Sequence, residues 1–284
     1  MKRYVVAAVV LGAAWVLSAP SDIHPRDFAG LTGDAKAGAQ VFWATGCASC
    51  HAVDDANPLT LAGGQAFASD FGTFYAPNIS PDPAQGIGGW SLAEFARAIQ
   101  QGVGKDGAHL YPALPYNAYN KLVPQDVADL KAYMDRLPPS DQASKPHDVG
   151  FPFNIRRTLG LWKLMFVRGD YVIAGDLTPE QTRGRYITEA MAHCGECHTP
   201  RNALGGLNYR AWLGGAATPD RKAPNIAALP WSSAEVVAYL TTGFTPEFDS
   251  VGGHMAHVVE NMAKLPEADR AAVAAYLALV PAVK

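Results

Sequence analysis

Charge is scarce in this sequence: Asp, Glu, Lys and Arg make up 17% of its 284 residues, and the formal net charge is −3. No basic stripe or run of like charges breaks the pattern, which excludes a nucleic-acid partner held through phosphates and argues against an interaction tail. Apolar runs are short too. The longest, from Tyr4 to about Leu17, falls below the roughly 20 residues that span a bilayer comfortably. Strands are scarcely visible, and no cluster of acid, base and nucleophile points to chemistry on an organic substrate. Isolated histidines such as His24 and His147 read as surface residues. What is present, 49% hydrophobic residues with 27 glycines and 21 prolines, suits a mainly helical, loop-rich pair of small domains.

The N-terminus, "MKRYVVAAVVLGAAWVLSAP", has a basic start (Lys2, Arg3) ahead of its apolar run, so residues 1–20 read as an export signal or an N-terminal membrane anchor helix. Cleavage after Leu17-Ser18-Ala19 would leave Pro20 first, a poor peptidase substrate, and both readings stay open.

Cysteine is equally rare. All four cysteines fall in "CASCH" (Cys47, Cys50, His51) and "CGECH" (Cys194, Cys197, His198). In an exported protein disulfides are the plain reading of cysteine, yet two complete C-x-x-C-H signatures have a more specific one. On a helical turn, positions i, i+3 and i+4 share a face. Two sulfurs can then reach the vinyl groups of one haem while the histidine meets its iron. A shared zinc would leave both histidines unexplained, and a thioredoxin-like dithiol needs a βαβ context that is missing. The motifs therefore predict two covalently bound haems c.

Each motif belongs to a repeated unit. "APNI" recurs at 76–79 and 223–226, at the same interval as the motifs. "WSLAEFARAIQQGV" returns as "WSSAEVVAYLTTGF", each with a Ser-x-x-Glu capping box (Ser91 and Glu94, Ser232 and Glu235). Pro124 and Pro266 suit the first turn of a closing helix. The pairs Gly38 and Gly184, Trp90 and Trp231, and Tyr133 and Tyr276 read as helix packing. The expected domains are 32–140 and 176–284, with a connector over 141–175.

"APNISPDPAQGIGGWS", "HLYPALPY", "FPFNIR", "CGECHTPRNALGG" and "GGHMAHVV" together resemble the cytochrome c subunits of membrane-bound alcohol, gluconate and aldehyde dehydrogenases, over about residues 33–281. The resemblance implies two tandem class I cytochrome c domains joined by a helical connector. It also implies a periplasmic role, with electrons taken from a dehydrogenase and passed to a downstream acceptor, a quinone pool or a terminal oxidase. Two departures stand out: such subunits often carry three haem domains, and Leu114 stands where the family strap has methionine.

In such domains a methionine returns over the iron, which makes Met255 the expected distal ligand beside the proximal His51 and His198. Met262, His254 and His257 are its rivals. Aligned without a gap from the paired tryptophans, Leu114 occupies the place of Met255. Leucine fills a similar volume but offers no lone pair. Haem 1 is then open, water-bound, or captured by His109, Tyr111 or Met134. Loss of a thioether generally lowers potential, so haem 1 is the expected entrance for electrons and haem 2 the exit.

The connector's "GFPFNIRRTLGLWKLMFVRGD" mixes apolar and basic residues. It reads either as a helix packed between the domains or as an interfacial segment docked on a membrane or partner. Two functions remain: an electron carrier, or an enzyme or ligand sensor with an open iron at haem 1, of peroxidase, thiosulfate-oxidising or gas-binding type. Common to both is the first prediction. Denatured protein is expected to retain haem through acid-acetone extraction and to give a pyridine haemochrome of about two per chain; extractable haem, or one equivalent, refutes it.

Overall fold

The computed structural model describes all residues but Met1, His24, Pro219, Asp220 and Lys284. The histidine at 24 thus lies outside the described residues. Helix α1 (Lys2–Leu17) precedes both copies of the repeat. The first copy runs α2 (Ala35–Thr45), α3 (Cys47–His51), the hairpin β1 (Ala66–Ser69) and β2 (Gly72–Tyr75), α4 (Leu92–Gln101), a short α5 (Tyr116–Tyr119) and α6 (Pro124–Met134). After α7 (Thr158–Phe166), the second copy repeats the order with α8 (Pro179–Tyr186), α9 (Cys194–His198), β3 (Ala216–Thr218), β4 (Arg221–Ala223), α10 (Ser233–Thr242), α11 (His254–Met262) and α12 (Glu267–Leu277). Both hairpins are antiparallel, and each leads into the repeated Ala-Pro-Asn.

Local chemistry sets these helices. Ser91 Oγ accepts from Glu94 N–H at 3.2 Å while the Glu94 carboxylate accepts from Ser91 N–H at 2.8 Å. Ser232 and Glu235 form the same box at 3.3 and 2.7 Å. Two backbone donors at each helix start are thereby satisfied. Pro124 opens α6, whereas Pro266 stands just before α12, as its cap.

Each copy closes by crossing its first helix over its last. At Gly38 an added Cβ would lie 1.9 Å from the Asp129 carbonyl oxygen and 2.9 Å from Tyr133 Cβ; at Gly184 it would lie 1.8 Å from the Ala272 oxygen and 2.9 Å from Tyr276 Cβ. Only glycine lets the backbones approach so closely. The second copy has one more residue than the first between this glycine and its first cysteine. The chain absorbs it as a π-helical turn over Ile187–Met191, between α8 and α9.

The two copies do not keep separate cores. Phe42, Val127 and Met134 of the first and Ile187, Leu213 and Tyr276 of the second belong to one continuous buried cluster. The connector departs from a helical bridge. Only α7 within 141–175 is helical, and the rest is extended or turned. Its first part lies along the first copy, where Asn78 Nδ2 donates to the Ser140 and Gln142 carbonyls at 2.8 Å each and Thr73 pairs with Asp148. Trp162 Nε1 then donates to Leu204 O at 2.8 Å, and Val172 N–H reaches the Glu189 carboxylate at 2.5 Å.

Gly38→Ala and Gly184→Ala are each expected to lower the unfolding free energy by about 3 kcal/mol, the upper end for overpacking. Urea denaturation checks this, and a loss near zero would mean that the crossing yields.

Candidate haem-binding sites

The turn before each motif aims it. Gly46 ends α2 and starts α3 in the left-handed region, at φ 65° and ψ 28°. On α3, Cys47, Cys50 and His51 lie on consecutive turns of one short helix. His51 Nδ1 lies 2.8 Å from the Pro77 carbonyl oxygen. That oxygen can only accept, so Nδ1 carries the proton and Nε2 keeps its lone pair for a metal. In the second copy His198 Nδ1 meets the Pro224 oxygen, also at 2.8 Å. Burial pulls both imidazoles below the usual histidine range, against the opposing carbonyl bond, which favours the neutral, ligating form.

The cysteines are not joined in disulfides. Burial pushes the Cys47 thiol up to about 11 and the Cys194 thiol up to about 12. Thr45 Oγ1 sits 3.3 Å from Cys47 Sγ. Among the described residues no three His, Cys, Asp or Glu side chains converge as a bare metal ion would require. The donor sets instead fit a macrocycle held at two thiols and one imidazole on a single helical face. Such a group supplies reversible one-electron chemistry at its iron.

On the distal sides the copies differ. Leu114 is partly buried against the common core, in a turn bounded by Pro112 and Pro115. Met255 packs partly buried against the same core but lies in the first turn of α11, a helix rather than an open strap, because no proline interrupts "HMAHVVENM". Met262 is buried at the end of that helix. His254 stacks on Phe67 of the first copy with ring centroids 6.0 Å apart, and His257 Nδ1 lies 3.6 Å from Glu260.

Around Leu114, the three possible substitutes are engaged elsewhere. His109 Nε2 donates to Ser18 O at 2.9 Å, and its Nδ1 accepts from Lys163 Nζ at 3.0 Å. Ligation by His109 would break at least one of these bonds. Tyr111 OH donates to Phe153 O at 3.1 Å, and Met134 is buried in the core on α6.

Several interface residues escape sequence reasoning. His193, ahead of Cys194, points its Nε2 at the Thr45 carbonyl oxygen of the first copy, 3.3 Å away. Tyr119 OH donates to the same oxygen at 2.8 Å. Asn261 Nδ2 donates to Ser49 Oγ, inside the first motif, at 2.8 Å. Glu189, buried in the π turn, accepts from Val172 and Ile173 N–H at 2.5 and 3.2 Å and from Tyr276 OH at 2.7 Å. The repeat carries a signal for His193 alone: it replaces Gly46.

Fold and donor sets together define a c-type cytochrome with two haem-bearing units. The family model described as "Cytochrome c" matches residues 35–138. A "Diheme cytochrome c-type" protein of Cereibacter sphaeroides is 50% identical, with 100% of both chains covered. The chain belongs to the dihaem c-type cytochromes and carries covalently bound c-type haems. It is also 41% identical to the fructose dehydrogenase cytochrome subunit of Gluconobacter japonicus, over 84% of this chain and 51% of that one. The cytochrome c subunit of a quinone-dependent alcohol dehydrogenase from Gluconobacter oxydans is 35% identical over 87% and 55%. The chain spans about half the length of these two dehydrogenase subunits.

Proposed function

We propose that the protein is an electron carrier. It takes electrons from a dehydrogenase outside the cytoplasm and passes them toward the respiratory chain. Cys47, Cys50 and His51 hold haem 1; Cys194, Cys197 and His198 hold haem 2, with Met255 as its distal ligand. The observation that carries this reading is the contact between the motifs. His193, bonded covalently to Cys194, meets the carbonyl of Thr45, whose own hydroxyl touches Cys47 Sγ. Two redox centres so joined suit relay of single electrons. Relatives named as cytochrome subunits of fructose, alcohol and gluconate dehydrogenases support a dehydrogenase as donor.

Leu114 keeps the packing of the strap and withholds the sixth bond. An added methionine is close to volume-neutral there and costs under about 1.5 kcal/mol. In a redox titration the protein is expected to take up one electron per haem, with haem 1 at the lower potential. Leu114→Met should raise the haem 1 potential, add a second methionine-to-iron charge-transfer band and weaken cyanide binding. Two methionine-ligated haems in the wild type would overturn the ligand assignment; turnover of peroxide or thiosulfate at haem 1 would favour the enzyme reading.

The N-terminal segment reads as a retained anchor in this proposal. Ser18, at the candidate cleavage site, is 3% exposed. Its oxygen accepts from His109, its hydroxyl accepts from Arg157 Nε at 3.0 Å, and Gly160 leaves room where a Cβ would stand 2.3 Å from it. Arg157 also donates to Trp15 O at 2.6 Å. Beyond this clamp Val5, Val6, Val9, Val10 and Val16 are exposed on α1, as are Phe151, Leu164 and Met165 of the connector. Exposed apolar surface of this extent marks a partner or a lipid surface. Among the described residues no helix is long and apolar enough to cross a membrane; a helix of the length of α1 reaches ~24 Å. Attachment at the bilayer face fits better than a span. Mass spectrometry of the mature protein should find residues 15–22 intact, and detergent should be needed to release it from membranes; a chain starting at Pro20 refutes this.

A further inference from the structure

His193 combines three features. It has φ 42° and ψ 38°, in the left-handed region that side chains other than glycine seldom enter. In the first copy the same turn is made by Gly46, at φ 65° and ψ 28°. A glycine would serve the turn before α9 equally well, so the turn alone does not account for a histidine there. Non-glycine residues persist in this region where surrounding contacts hold them, and such outliers concentrate at functional sites.

The side-chain hydrogen bond and the ring contact of His193 both cross the domain boundary. Its Nε2 faces the Thr45 oxygen at 3.3 Å, and since a carbonyl only accepts, that nitrogen carries the proton. Its ring meets Tyr119 edge-on, with centroids 5.5 Å apart and planes at 74°. Tyr119 and Thr45 are themselves buried and bonded to each other at 2.8 Å. The imidazole thus bonds to the first copy from a position next to a cysteine of the second motif.

We propose that His193 is a positioning residue for electron exchange between the two domains: its imidazole holds the second attachment helix against the Thr45 carbonyl, two residues ahead of Cys47. The proposal rests on the electron-carrier reading. What is exchanged is a single electron, one iron being oxidised as the other is reduced, with no bond made and no proton moved. Gly46 leaves the same position in the first copy without a side chain, so the bridge is built from one side only. Gly46 instead sits beside the second cross-domain bond, from Asn261 Nδ2 to Ser49 Oγ at 2.8 Å, with both atoms 3.6 Å from where its Cβ would stand.

The test uses the holoprotein with both haems. One haem is reduced rapidly, and the concentration-independent re-equilibration between the two is followed. His193→Gly keeps the left-handed turn and removes the bridge. It should slow this phase on the order of tenfold, the scale on which a small misplacement degrades a positioned reaction, while haem content and both midpoint potentials stay as in the wild type. His193→Asn, which tolerates the turn and retains a donor, should recover part of the rate. An unchanged rate in His193→Gly overturns the proposal. Should that variant lose its second haem, the ring nitrogens of His193 in the reduced wild-type protein decide. Nuclear magnetic resonance should find an exchange-protected proton on Nε2, and a proton on Nδ1 alone overturns the bridge. Absence of any concentration-independent phase in the wild type would instead bring down the electron-carrier reading, and this inference with it.

Discussion

The hydrogen bond from histidine Nδ1 to a proline carbonyl is the constraint on which each half of the molecule depends. It is 2.8 Å long in both copies. It fixes the tautomer, turns the ring and leaves Nε2 as the only nitrogen able to reach a metal. The rest of each unit brings these two groups together. The crossing at Gly38 or Gly184 sets the height of the motif helix, and the hairpin, β1–β2 or β3–β4, delivers the Pro77 or Pro224 carbonyl. Two sequence segments some 26 residues apart must therefore be placed to within a hydrogen bond. This explains why so much of a small domain goes into two helices and a loop around one short turn.

The second dependence is between the halves. A domain of about 100 residues buries little surface on its own. Here the buried cluster runs from one copy into the other, and polar atoms beside it are paired across the boundary: His193 with Thr45, Asn261 with Ser49. Buried polar groups without such partners cost free energy. The pairing therefore specifies one relative orientation of the copies, and it falls on residues next to or inside the C-x-x-C-H turns. The same contacts that stabilise the interface set how the two redox sites face each other.

Much of this was written locally in the chain. Capping boxes at Ser91 and Ser232, the glycines at 38 and 184 and the motifs themselves are short-range signals, and each matches the helix it implies. The route of the connector was not legible, because what holds it is distant in sequence: Asn78 with Ser140, Trp162 with Leu204, Glu189 with Val172. Its apolar and basic composition fitted a helix between domains and an interfacial segment equally. His109 illustrates the same limit. Its spacing from Leu114 made it a ligand candidate, while the groups that occupy it, Ser18 and Lys163, are contributed by segments before and after the domain. The π turn was half-visible: the extra residue between Gly184 and Cys194 can be counted, but nothing in the sequence says that the helix absorbs it by widening rather than by a loop.

Duplication gives a stringent view of what the chemistry demands, because both copies face the same requirement for haem attachment. The attachment residues, the proline and the crossing glycine are repeated. Among the positions that differ are Leu114 against Met255 and Gly46 against His193. Leucine and methionine fill similar space, although Leu114 sits in a turn and Met255 in the first turn of α11; glycine and histidine share one left-handed turn. Each change alters a single chemical property, a sulfur lone pair in the first case and an imidazole donor in the second. A pair of identical haem sites would have no preferred direction for an electron. In the proposed carrier, the differences at Leu114 and His193 would make the sites unequal and place the link between them on one side.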